Sequence, residues 1–170
     1  MLRTQGMARK GDAPLKGITE LQTLLKQRTW DKDVLLWLGS DKSLLSALGS
    51  TNHVILDLLD LFDVDSLPVD DDETRRDLTE RLRYRLKSIP KGPTDRTVLV
   101  VKSIGLLARY RIGMKEFYDW FVGSHTIVAL VLEGLPGQTN WPEEVRCDAK
   151  RLSSYFGESG MVKDVYAANG

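Results

Sequence analysis

The sequence predicts an α/β fold: a three-layer sandwich in which helices cover both faces of a mostly parallel sheet. Three observations lead there. Four strand-sized apolar runs recur along the chain, at Val34–Leu38, His53–Leu56, Thr97–Val101 and Thr126–Leu132. They are apolar at consecutive positions rather than alternate ones, which suits strands covered on both sides, as inside a parallel sheet. Segments with helical spacing separate them, giving the βαβ pattern.

Taken in order, residues 1–13 are polar, Gly-containing and aperiodic, and are expected to be loose; residues 14–170 are expected to form a single α/β domain. Leu21, Leu24 and Leu25 place one apolar face on a helix from about Leu15 to Gln27. After the strand Val34–Leu38 and Gly39, Ser40 and Asp41 can cap a short helix carrying Leu44, Leu45 and Leu48, closed by Gly49. The strand His53–Leu56 runs into an acidic stretch, Asp57 to Asp72, whose first half is expected to make a helical turn and whose second half, around Pro68, a loop. Asp70 and Glu73 have capping-box spacing and open the clearest helix, with Leu78, Leu82, Leu86 and Ile89 on one stripe. Pro90-Lys91-Gly92-Pro93 stops it. The β-branched run Thr97–Val101 is a strand. A short helix or turn follows over Ile104–Tyr110, then a helix over Met114–Phe121 burying Phe117, Trp120 and Phe121. Beyond the strand Thr126–Leu132, a loop with Pro136, Gly137 and Pro142 leads to a helix near Glu143–Phe156 and a short strand at Val162–Tyr166.

Composition bounds the function. Hydrophobic residues make up 42% and charged residues 28% of the 170, as in ordinary globular proteins. Lys+Arg and Asp+Glu are each 24, so no net charge draws the chain toward nucleic acid or an anionic membrane, although Arg3, Arg9 and Lys10 make the N-terminus locally basic. No apolar run approaches the roughly 20 residues needed to span a bilayer. Cys147 is the lone cysteine, so no internal disulfide can form, and a reducing, cytoplasmic home is expected.

In such a fold the ligand site lies off the carboxyl ends of the strands. The candidates there are Gly39–Ser43, Asp57, Lys102-Ser103 and Glu133-Gly134. Gly39-Ser40-Asp41-Lys42-Ser43 sits where a phosphate loop would, and Lys42-Ser43 reproduces the end of G-x-x-x-x-G-K-[ST]. Gly39 is only three positions before Lys42, however, and Asp41 stands where the second glycine belongs. A loop that short does not wrap its N–H groups around a phosphate. The readings are an ordinary strand-to-helix turn, or residual binding of ATP or another nucleotide through Gly39, Lys42, Ser43 and Asp57. At the end of Thr97–Val101, Lys102 and Ser103 replace the carboxylate that magnesium-dependent phosphoryl transfer wants. Glu133 has no evident partner acid, and no catalytic set is complete. His53 and His125 precede strands, on the opposite face, and are read as structural; neither they nor Cys147 has a metal-ligand spacing. Arginines on the helix after Asp70 are interleaved with acids and suit a solvated or protein-facing surface. Arg109-Tyr110-Arg111, after the third strand, combines residue types favoured at interfaces and is expected to contact a partner; the alternative is pairing with acids of the Asp57–Asp72 stretch.

Val34–Ser43 as strand and loop, Thr97–Arg111 as second-motif strand and helix, and Phe117–Gly134 as helix and following strand resemble, over about residues 17–135, a degraded core of additional-strand P-loop ATPases of the AAA type. More narrowly, the chain resembles small accessory proteins of bacterial phage-exclusion (BREX) systems with a P-loop-derived core. The resemblance implies a defence-complex component working with larger proteins, including a methyltransferase and an alkaline-phosphatase-like protein. Asp41 and Lys102 depart from the two pattern positions that matter most, which argues against hydrolysis, and the segment beyond Pro136 is outside the resemblance. Three functions follow as expectations: a non-catalytic interaction or scaffolding subunit, without cofactor; a nucleotide-binding switch or weak NTPase; and a nucleic-acid-binding accessory domain, which the neutral charge disfavours.

Overall fold

Among the described residues six strands pair in one sheet, every pair parallel, in the order β1-β6-β2-β5-β4-β3. They are β1 (Leu15–Lys16), β2 (Val34–Leu38), β3 (Asn52–Asp57), β4 (Thr97–Lys102), β5 (Thr126–Leu132) and β6 (Asp164–Ala167). The helices are α1 (Ile18–Lys26), α2 (Asp41–Leu48), α3 (Asp71–Ser88), α4 (Gly105–Arg109), α5 (Lys115–Trp120) and α6 (Ala149–Glu158), with 3-10 turns at Leu58–Leu61 and Glu143–Val145. This computed structural model describes residues 15–30, 34–61, 70–90, 96–123, 125–133, 141, 143–158, 162 and 164–168. The expectations for residues 1–13, for the loop around Pro68 and for the Pro136-Gly137 loop lie outside them.

The consecutive apolar residues of each central strand divide between two cores. On one face, Val34, Leu36, Leu99, Val101, Val128 and Leu130 pack under α3, α4, α5 and α6. On the other, Leu35, Trp37, Val98, Val100, Ile127 and Ala129 pack under α1 and α2. The α/β sandwich is therefore as expected, and among the described residues the sheet is wholly rather than mostly parallel.

Three elements differ from expectation for local reasons. The first helix begins at Ile18, because Leu15 and Lys16 are recruited by β6 and Gly17 supplies the cap, its N–H donating to Glu20 Oε1 at 3.1 Å. At the start of α3, Asp70 does not form a capping box with Glu73; its short carboxylate accepts from the Asp72 N–H at 2.9 Å. The expected helix Glu143–Phe156 is split, since Asp148 accepts from the Arg151 N–H at 2.7 Å and so starts α6 afresh.

The strand order fixes where a site belongs. The chain leaves β2 over the α1–α2 face, through α2, and leaves β5 over the opposite face, through α6. Adjacent strands whose connections depart to opposite faces open a crevice at their carboxyl ends. That crevice lies between β2 and β5, with β5 itself between the loop strand β2 and β4.

Candidate functional site

The turn leaving β2 is built around a buried indole. Trp37 is fully buried, and its Nε1–H donates to both the Ser40 carbonyl and Ser43 Oγ, each at 3.1 Å. Ser43 in turn donates its hydroxyl proton to the Ser40 carbonyl at 2.8 Å, while its N–H donates to Ser40 Oγ at 3.1 Å as the helix N-cap bond of α2. Gly39 has a φ of +146°, and a Cβ there would stand 3.3 Å from Trp37 Nε1. Its glycine is thus required by backbone geometry and by the indole. Gly39 and Ser43, the letters that suggested a phosphate loop, are both engaged in holding this turn. Lys42 is exposed.

Opposite charges close the crevice above it. Asp41 Oδ2 lies 3.1 Å from Lys102 Nζ, so the first residue of α2 is tied to the last residue of β4 across the end of β5. Glu133, immediately after β5, accepts the Asp41 N–H at 3.3 Å. The hydrogen bond to Asp41 raises the Lys102 ammonium above its ordinary range, against burial, and the charges of Asp41, Asp57 and Glu133 reinforce it. Burial acts to raise the Asp41 carboxyl, but the hydrogen bond and charge of Lys102, with the local backbone N–H groups, hold it below its ordinary value.

Asp57, at the end of β3, accepts from the Leu59 N–H at 3.1 Å and from the Ser103 hydroxyl at 2.5 Å. Ser103 holds a left-handed φ of 61°, one of two non-glycine residues with positive φ among those described. The structure thus brings Gly39, Ser43, Asp57, Lys102 and Glu133 to one rim, each partnered there by protein atoms. Among the described residues no group of three His, Cys, Asp or Glu is arranged to hold a metal ion.

The remaining sequence candidates fall elsewhere. His53 and His125 lie at the amino ends of β3 and β5, opposite this rim. Cys147 is buried, and burial pushes its thiol up, away from the thiolate a nucleophile needs. The Arg109-Tyr110-Arg111 segment divides. Tyr110 is only 6% exposed and belongs to the core, so it offers no contact area to a partner. Arg109 donates to both carboxylate oxygens of Asp71, at 2.8 and 3.3 Å, and lies over the Tyr110 ring at 4.8 Å. Arg111 is exposed. In the sequence Asp41 and Lys102 stand far apart; the signal that pairs them is their opposite charge at the carboxyl ends of the two strands that flank β5.

No protein-family model and no curated protein sequence matches the chain. Among solved structures, a chain from the Drosophila ORC bound to AT-rich DNA and Cdc6 superposes with a TM-score of 0.32 at 12% identity. The match covers 88% of this chain and 51% of that one, so this chain spans about half its length. Among the described residues no helix is long and apolar enough to cross a membrane.

Proposed function

We propose that this chain is a non-catalytic interaction or scaffolding subunit and that, as its sequence resemblance implies, it serves with larger proteins in a bacterial antiphage (BREX) defence complex. The observation that carries the non-catalytic part is the Asp41–Lys102 bridge. It spans the crevice where this topology binds ligands, while Gly39 and Ser43 are committed to the Trp37 turn. A phosphate entering there must displace a salt bridge and meet Asp41, and an entering magnesium ion must meet Lys102. A surface suited to a partner lies at the sheet edge. Among the described residues no strand pairs with the outer side of β3, and Ile55 on that strand is 42% exposed.

Two measurements test this reading. Purification at native expression is expected to bring down a stoichiometric protein partner, and Ile55→Lys is expected to lose it without a lower melting temperature; a solitary parent protein contradicts the proposal. Titration with ATP or GTP and magnesium is expected to give no stabilisation that depends on Lys42, since a ligand of the native state must stabilise it by mass action. A nucleotide shift abolished by Lys42→Ala moves the reading to a nucleotide-binding switch.

A further inference from the structure

A groove of about 310 Å³ lies between α3 and the turn that follows α4. Arg75, Arg76 and Arg83 line it from α3, Arg111 from the turn and Lys115 from the start of α5, against only two lining carboxylates, Glu80 and Glu116. The cations are not equally committed. Arg83 forks onto Glu116 at 2.9 and 3.3 Å, Lys115 pairs with Asp119, and Arg75 reaches Asp72 at 3.4 Å. Arg76 and Arg111 pair with no carboxylate among the described residues.

The backbone of Arg111 makes its side chain informative. The Ile112 N–H donates to the Leu107 carbonyl at 2.9 Å and the Arg111 N–H to the Ala108 carbonyl at 3.4 Å, the two bonds of a Schellman helix end. Arg111 occupies the left-handed position of that motif, with a φ of +54°, where glycine is the unstrained choice. Here a long cation stands there instead and faces the groove.

We propose that this groove binds a compact phosphate monoester, of sugar-phosphate size, between Arg76 and Arg111. Two guanidinium groups match the charge of a phosphate dianion and present paired N–H donors to its oxygens. The volume is at the small end of small-molecule sites. Glu80 repels an extended polyanion such as a nucleic-acid backbone, yet accepts a hydrogen bond from a hydroxyl group on a compact ligand. The site is separate from the rim that bears on the interaction reading, so either stands without the other.

The test uses ribose 5-phosphate and inorganic phosphate against chloride at equal ionic strength, read by melting temperature and by amide NMR. Both phosphates are expected to raise the melting temperature and to shift the amides of Arg76, Thr79 and residues 111–116. Arg111→Gly is expected to weaken binding by about tenfold or more, the loss of a charged hydrogen-bonding pair, while melting at or above the parent because the left-handed strain is relieved. Arg76→Gln is expected to weaken binding comparably, and Arg28→Ala to leave it unchanged. Absence of amide shifts in the groove at about 20 mM phosphate, or parental binding by Arg111→Gly, overturns the proposal. Displacement of ribose 5-phosphate by a single-stranded oligonucleotide, with affinity falling steeply with salt, also overturns it, in favour of a nucleic-acid backbone.

Discussion

The ammonium of Lys102 faces Asp41 directly and feels the charges of Asp57 and Glu133 as well, so one cation offsets the mutual repulsion of three carboxylates at this rim. Removing it by Lys102→Met leaves those acids facing one another. The expected cost is about 1 kcal/mol at neutral pH, the scale of a partly exposed ion pair. The pH dependence follows from the two shifts. Asp41 sits below its ordinary 3.8, so its contribution is present above that pH and is lost as pH falls through the lowered value. Lys102 sits above its ordinary 10.5, so its contribution is present below that pH and disappears as pH rises through the raised value. Denaturant midpoints of parent and Lys102→Met are therefore expected to differ by a constant amount between about pH 5 and 9 and to converge beyond both ends. A gap that widens in acid contradicts this account.

Between elements, the most telling contact is the tie from α5 to α3. Glu116 is buried, yet it accepts a forked pair from Arg83 and a third hydrogen bond from Trp120 Nε1 at 3.1 Å. The hydrogen bond from Arg83 lowers its carboxyl below the ordinary 4.5, prevailing over burial. Glu116→Gln keeps the shape and removes the charge, so it is expected to melt several degrees below the parent at pH 7. The gap is expected to narrow as pH falls below the ordinary 4.5 and to close as it passes the lowered value, where the parent's own carboxyl takes up its proton; a gap independent of pH assigns the residue a packing role only. This tie marks the limit of what the sequence could tell. The strands β2, β4 and β5 were legible because each is an unbroken apolar run, and α3 because Leu78, Leu82 and Leu86 share a stripe. Local periodicity does not report pairing at a distance. Hence the two residues of β1 were read into a helix, and Glu116, a charge on a helix otherwise marked by aromatics, was passed over. Gly39 and Asp57 fall at the ends of strands and Lys42 and Ser43 in the first turn of α2, positions legible from the apolar runs before them, but the Trp37 indole and the Lys102 bridge that occupy Ser43 and Asp41 are contacts that local pattern does not report.

Across the whole molecule, the two cores share the same strands. Val34 and Leu36 point to one and Leu35 and Trp37 to the other, so neither layer of helices can be lost without stripping one side of β2. Leu44 under one layer and Leu82 under the other are both fully buried. Leu44→Ala and Leu82→Ala are each expected to cost about 2–5 kcal/mol and to move one common transition, with tryptophan fluorescence and far-UV circular dichroism coincident. Two separable transitions in either variant contradict a shared sheet. The Lys102 bridge has a consequence at this scale too. A counterion that diffuses is held only as well as its supply allows, and dialysis or a chelator removes it. Lys102 is a counterion built into the backbone of β4, at a local concentration fixed by covalent connection rather than by the surroundings. The charge of Asp41 is thus compensated by the act of folding, and that compensation withstands dilution.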